Sequence, residues 1–178
     1  MSTTNERETL IETLDRHRGF LLLPAEGLSE EQARSAPTAS ALTIAGLLKH
    51  VADTEEEWME FAVHGEQAMA GSDIEDDADW QAGDWSGSDW VDTRFDVPED
   101  MTLDDLRTRV IEVGRKTAEL LRTGDLDRAH PLPAAPWFEP GTAWSMRRVA
   151  LHMLAEISQH AGHADIIRET IDGKKSMG

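Results

Sequence analysis

Four stretches of the chain repeat apolar residues at helical intervals, and no stretch alternates apolar and polar positions as a half-buried strand does. The first runs from about Glu6 to Leu22, with Leu10, Leu14, His17 and Leu21 on one stripe, and Pro24 and Gly27 break it. The segment LSEEQARS predicts a short helical turn, because Ser29 and Gln32 have the spacing of a capping box. The second long helix spans about Thr43 to Val63 and stops at Gly65. Its inner side carries Ile44, Leu47, Val51, Trp58, Phe61 and Ala62, while Lys49, Asp53, Glu56 and Glu60 line the other. A third helix starts after Thr102, with Asp105 three residues on, and ends near Gly124. The fourth starts between Thr142 and Ser145 and reaches Gly173. Four long amphipathic helices without strands predict an all-α fold, a four-helix bundle forming a single domain over residues 1–178.

Two connections are too long for bundle turns. Residues 65–101 predict a long acidic crossover between the second and third long helices, and they hold Trp80, Trp85 and Trp90. Low hydrophobicity and high charge argue for disorder there. Three tryptophans, each able to bury a large area, tip the balance toward a crossover docked on the bundle. The second connection, DLDRAHPLPAAPWFEPGTAW, is rich in proline and presents Trp137, Phe138 and Trp144. It reads equally as a binding loop and as a rigid spacer over the core.

Composition narrows the chemistry. The 178 residues suit one domain with a real core. Cysteine is absent, which excludes disulfides, thiolate metal ligands and a sulfur nucleophile of the chain's own; tyrosine is absent too, which excludes a phenol acid or base. No apolar run reaches the roughly 18 residues of a membrane span, and the charged, amphipathic start is unlike a signal peptide, so the expected compartment is the cytoplasm. A net charge of −18 argues against nucleic acid as a partner and favours solubility in a salty cytoplasm.

Within the last helix, LHMLAEISQHAGHADIIRET concentrates imidazoles and carboxylates. With His152 at zero on a helical wheel, His163 falls near 20°, Glu156 near 40° and His160 near 80°. Arg147, Ser158, Asp165 and Arg168 fall near 200–240° and are expected to face solvent, and Glu169 is expected on the surface as well. A single inward histidine is usually a hydrogen-bonded core residue. Three histidines and a carboxylate on one arc are harder to bury, because an unpaired carboxylate costs several kcal/mol. A divalent ion offsets that cost and keeps the imidazoles neutral. Glu156 and His160 stand one turn apart and can converge on one ion. A further ligand has to come from another helix, and His50, at the margin of the second helix's apolar stripe, fits best. His17 is the weaker candidate, set among charges; His64 and His130 sit at element ends and are expected to be solvated loop residues. His152 is expected to pack or support, and His163 is open between ligand, supporting donor and base.

The segments LLKHVADTEEEW and WSMRRVALHMLAEISQHAGHADIIRETIDG carry a resemblance. Together they resemble the DinB-like superfamily, and within it the mini-circle protein or mycothiol transferase branch. The most specific part is Glu156, His160, Gly162, His163, Ala164, Asp165, Arg168 and Glu169 on the last helix. The resemblance implies a divalent metal, zinc or nickel, held by His50, Glu156 and His160. Many members have two histidines four apart on this helix, and Glu156 stands in place of the first, as in the related mycothiol-dependent isomerases. A carboxylate is a harder ligand than an imidazole, which bears on metal identity.

Three nitrogen and oxygen ligands leave a coordination position open, the pattern of a catalytic metal. The resemblance favours S-transfer, in which a mycothiol-like low-molecular-weight thiol attacks a small electrophile. His163 is then the candidate base or thiol contact, and Trp58, Trp137 and Trp144 the candidate walls of the ligand pocket. A metal-dependent hydrolase using bound water is an alternative, as is a metal-stabilised binding or stress module without catalysis. A homodimer is compatible with all three.

Overall fold

The computed structural model describes residues 5–68, 93–133 and 138–176. The described chain is mostly helical: α1 is Glu6–Leu22, α2 Glu30–Ala33, α3 Ile44–His64, α4 Leu103–Thr123 and α5 Met146–Asp172. Side-chain caps fix where these helices begin. Asn5, Thr43 and Ser145 accept from backbone N–H groups of the first turns of α1, α3 and α5. Capping boxes open α2 at Ser29 and Gln32 and α4 at Thr102 and Asp105. At the far end of α5, Gly173 takes a left-handed conformation at φ 78°, which a side chain would resist. Among the described residues no helix is long and apolar enough to cross a membrane.

Contacts at the helix ends give the directions. Arg147 at the start of α5 pairs with Glu6 at the start of α1, and Arg168 near the end of α5 donates to the carbonyls of Pro24 and Glu26 just past α1. These two helices therefore run parallel. Arg7 at the start of α1 donates to the Gly124 carbonyl beyond α4, so α4 runs antiparallel to α1. His50 faces His160, and Trp58, further along α3, faces His152, so α3 is antiparallel to α5. It follows that α3 and α4 run in the same direction, which demands a connection running back along the bundle. Consistent with this, the 3₁₀ turn Thr93–Phe95 packs against Gly46 at the start of α3. Trp80, Trp85, Trp90 and Trp137 lie outside the described residues, as does most of the expected acidic crossover.

The helices enclose a core whose largest fully buried side chains include Leu14, Leu47, Phe61, Leu121, Met153 and Ile157. Two features depart from the sequence reading. The first is a two-stranded antiparallel sheet, β1 Ala129–Pro131 with β2 Ala143–Ser145, pairing His130 with Trp144. Strands of three residues are too short to display alternation, so the all-α expectation missed them. The second is Arg168, which does not face solvent but is 3% exposed. A wheel of one helix cannot anticipate this, because the carbonyls that satisfy its guanidinium come from the chain after α1.

Candidate metal centre

His50, Glu156 and His160 converge, each offering a donor atom within 4.8 Å of the others. The first turns of α3 carry His50 inward beside Leu47 and Leu48, and Glu156 and His160 approach it from the facing α5. The two imidazoles are buried, with centroids 4.9 Å apart and planes nearly perpendicular at 81°. His160 Nε2 lies 3.6 Å from Glu156 Oε2. Two ligands bound about 2.0–2.2 Å from one tetrahedral ion sit roughly 3.3–3.6 Å apart, so the pair already has nearly the required separation. Contact with the His160 imidazole, aided by the nearby His152 and His50 rings, holds the Glu156 carboxyl below its ordinary range against the opposing effect of burial. The site thus presents an anionic oxygen and two imidazole nitrogens, a donor set suited to a borderline divalent cation.

His163, half-buried one turn after His160, places its Nδ1 3.4 Å from His160 Nδ1. The two nitrogens of His160 therefore have separate neighbours, the carboxylate at Nε2 and a second imidazole at Nδ1. Such a contact lets one ring hold the other in a single tautomer.

Toward the other end of the site, His152 is wedged between aromatic rings, 4.9 Å from Trp58 and 5.1 Å from Trp144. Trp58 and Trp144 stack on each other at 4.9 Å, Phe138 meets both edge-on, and the Arg148 guanidinium lies 4.3 Å from the Trp144 ring centroid. Of the three expected pocket tryptophans, the structure brings Trp58 and Trp144 together one turn from Glu156. Burial pushes the His152 pKa down, with Glu156 opposing and Arg148 assisting. The unfolded chain then binds a proton more readily than the folded one, so this stabilisation is complete above the ordinary histidine pKa and is lost as pH falls through the lower folded value. In chelator, the melting temperature should fall between about pH 7.5 and about pH 5.5, and His152→Phe should fall less steeply. Equal slopes in the two proteins would remove His152 from the account.

The remaining histidines stand apart from this cluster. The His17 ring contacts the Thr13 carbonyl through Nδ1 at 2.9 Å and meets Phe20 edge-on. His64 is exposed beside Glu60. His130 is not the solvated loop residue expected from its neighbour Pro131. It is half-buried on β1, edge-on to Phe61 at 6.0 Å, with Nε2 enclosed. A residue the sequence did not single out does touch the site: the Phe95 ring lies 4.4 Å from His50 and 5.9 Å from His160. Its only sequence signal was an aromatic side chain at the end of the acidic segment.

A helical bundle that gathers two histidines and a glutamate from facing helices is the arrangement of the DinB-like class. The chain belongs to the mycothiol-S-transferase family, whose model matches residues 9–173. Its fold is similar to that of a crystal structure described as a conserved protein of locus from Enterococcus faecalis. The two are 16% identical with a TM-score of 0.67, over 97% of this chain and 100% of that one. No curated protein matches the chain.

Proposed function

We propose that this protein is a divalent-metal-dependent S-transferase that joins a mycothiol-like low-molecular-weight thiol to a small electrophile. The observation that carries this reading is the convergence of His50, Glu156 and His160 from two facing helices in a chain of the mycothiol-S-transferase family. The donor set fits zinc or nickel, and these three residues would hold it. A divalent cation bound there supplies the charge that lowers a thiol's pKa and fixes its sulfur. In the overall reaction the thiol loses its proton, a sulfur–carbon bond forms, and the electrophile's leaving group departs.

The chain's own residues divide the remaining work. Glu156 brings a negative charge that offsets part of the cation's, and His50 and His160 donate as neutral imidazoles. His163 orients His160 through the contact between their Nδ1 atoms, a positioning role. Trp58 and Trp144 wall the site beside His152, and Trp137 is the third candidate wall. The absence of cysteine and tyrosine is in keeping with a nucleophile supplied by the co-substrate.

Cobalt-substituted protein should respond to a low-molecular-weight thiol with a saturable change in its visible spectrum. The same thiol should be consumed when an alkyl halide is added. Ester turnover without any thiol response would indicate a hydrolase, and neither response a binding module. His163→Ala should weaken metal binding by about tenfold, and His163→Gln should recover part of the loss. Unchanged affinity in His163→Ala would remove the positioning role.

A further inference from the structure

The metal centre has a wall that the bundle helices do not supply. Phe95 ends the 3₁₀ turn Thr93–Phe95, and its ring covers the imidazole of His50 at 4.4 Å and reaches that of His160 at 5.9 Å. Two separate devices hold this turn in place. Gly46 on α3 lets the Phe95 backbone come close: a Cβ at Gly46 would sit 2.6 Å from the Phe95 carbonyl oxygen and 3.3 Å from its Cβ. Nothing in the conformation of Gly46 demands glycine, since it lies in the first turn of a regular helix; the demand is for space. The second device is Arg34, at the end of α2. Its Nη1 donates to the Val97 carbonyl at 3.2 Å, and its Nη2 to those of Pro98 at 3.0 Å and Met101 at 2.6 Å. One guanidinium thereby fastens the chain immediately after Phe95. Glu30, on the same short helix, accepts from the Leu103 N–H at the start of α4 and anchors the far side. A four-residue helix contributes little to a core, but here it grips the limb that carries Phe95.

We propose that Phe95 is the wall that packs the two imidazoles of the metal centre on one side, and that Arg34 is the positioning residue that sets it there. The inference rests on the reading of His50, Glu156 and His160 as metal ligands. An aromatic ring against both imidazoles limits their rotation and keeps water from that side of the donors, so the limb after the long connection contributes to how tightly the centre holds its ion.

Cobalt(II) titration of the full-length chain tests this, with affinity read by chelator competition, coordination by the visible absorption band, and folding by thermal melting in chelator. Phe95→Ala and Arg34→Ala should each weaken cobalt binding roughly tenfold and alter the band. Phe95→Leu should recover part of the affinity by restoring bulk. Arg34→Lys should fall between Arg34→Ala and wild type, because an ammonium cannot spread its donors over three carbonyls as the planar fork does. A purely structural role for Arg34 would lower the melting temperature and leave the band of the folded protein unchanged. Wild-type affinity and band in Phe95→Ala and Arg34→Ala, alongside a wild-type band that His50→Ala abolishes, overturn this proposal alone. A wild-type protein that binds no cobalt overturns it together with the metal reading.

Discussion

Replacing His160 with alanine is expected to reduce bound divalent metal from about one ion per chain to background. His160 is the member of the set that touches both of the others, with Nε2 3.6 Å from Glu156 and its ring 4.9 Å from that of His50. Without it, His50 and Glu156 face each other from different helices with two donors between them, below the three protein ligands typical of a catalytic zinc. Elemental analysis of purified protein reads the stoichiometry directly. The companion measurement is thermal: added metal should raise the melting temperature of the wild type in a concentration-dependent way, and that of His160→Ala not at all. His50→Ala should behave alike, and Glu156→His should keep the ion. Full occupancy in His160→Ala would refute the ligand set, and with it the S-transferase mechanism proposed above.

The other large effect is expected far from that chemistry, at Arg18 and Glu55. The guanidinium and carboxylate meet as a fork across α1 and α3, with Nη2 2.7 Å from Oε1 and Nε 3.4 Å from Oε2, and the two residues are 4% and 1% exposed. Removing one partner of a buried pair leaves the other charge desolvated and uncompensated, at a cost of about 3–5 kcal/mol. Glu55→Ala should therefore lower the melting temperature by roughly 10 °C, from about 2–4 °C per kcal/mol in a domain of this size. Asp15 also accepts from Arg18, at 2.5 Å from the solvent side, and should hold the loss toward the lower end. The double variant Arg18→Met with Glu55→Leu should recover much of it, because an apolar pair asks for no desolvation. Gly114 belongs to the same unit: a Cβ there would lie 2.4 Å from Arg18 Cζ, so Gly114→Ala should destabilise by displacing the guanidinium. A loss below about 1 kcal/mol for Glu55→Ala in denaturant unfolding would contradict this account.

Arg18 and Glu55 also mark where sequence reading stops. Local signals carry helix ends well: Ser29 with Gln32, Thr102 with Asp105 and the terminal Gly173 all act as their neighbours in sequence predict. The ligand arc was legible for the same reason, since Glu156, His160 and His163 share one face of one helix, and the stripe around Leu47 pointed His50 inward. Buried charge was not legible. On a wheel, Arg18, Glu55 and Arg168 look like any solvated residue, because burial is decided by partners on other elements: Glu55 for Arg18, and two carbonyls after α1 for Arg168. Phe95 was missed on the same ground. Its contact with His50 depends on Arg34 and Gly46, which lie far from it in sequence.

The direction of the helices has a consequence for how the molecule comes into being. The neighbours that α1 and α3 need include α5, which a ribosome makes last. Arg147 and Arg168 are the groups that close the two ends of α1, and His160 completes the donor set begun by His50. A nascent chain carrying only the first three helices of the fold has half a ligand set and an open seam along its N-terminal helix. Its most distant contacts in sequence are among its last to form, the circumstance that slows folding in topologies rich in non-local contacts. Possession of the assembled centre is therefore a property of the finished polypeptide, and a chain truncated before α5 cannot acquire it.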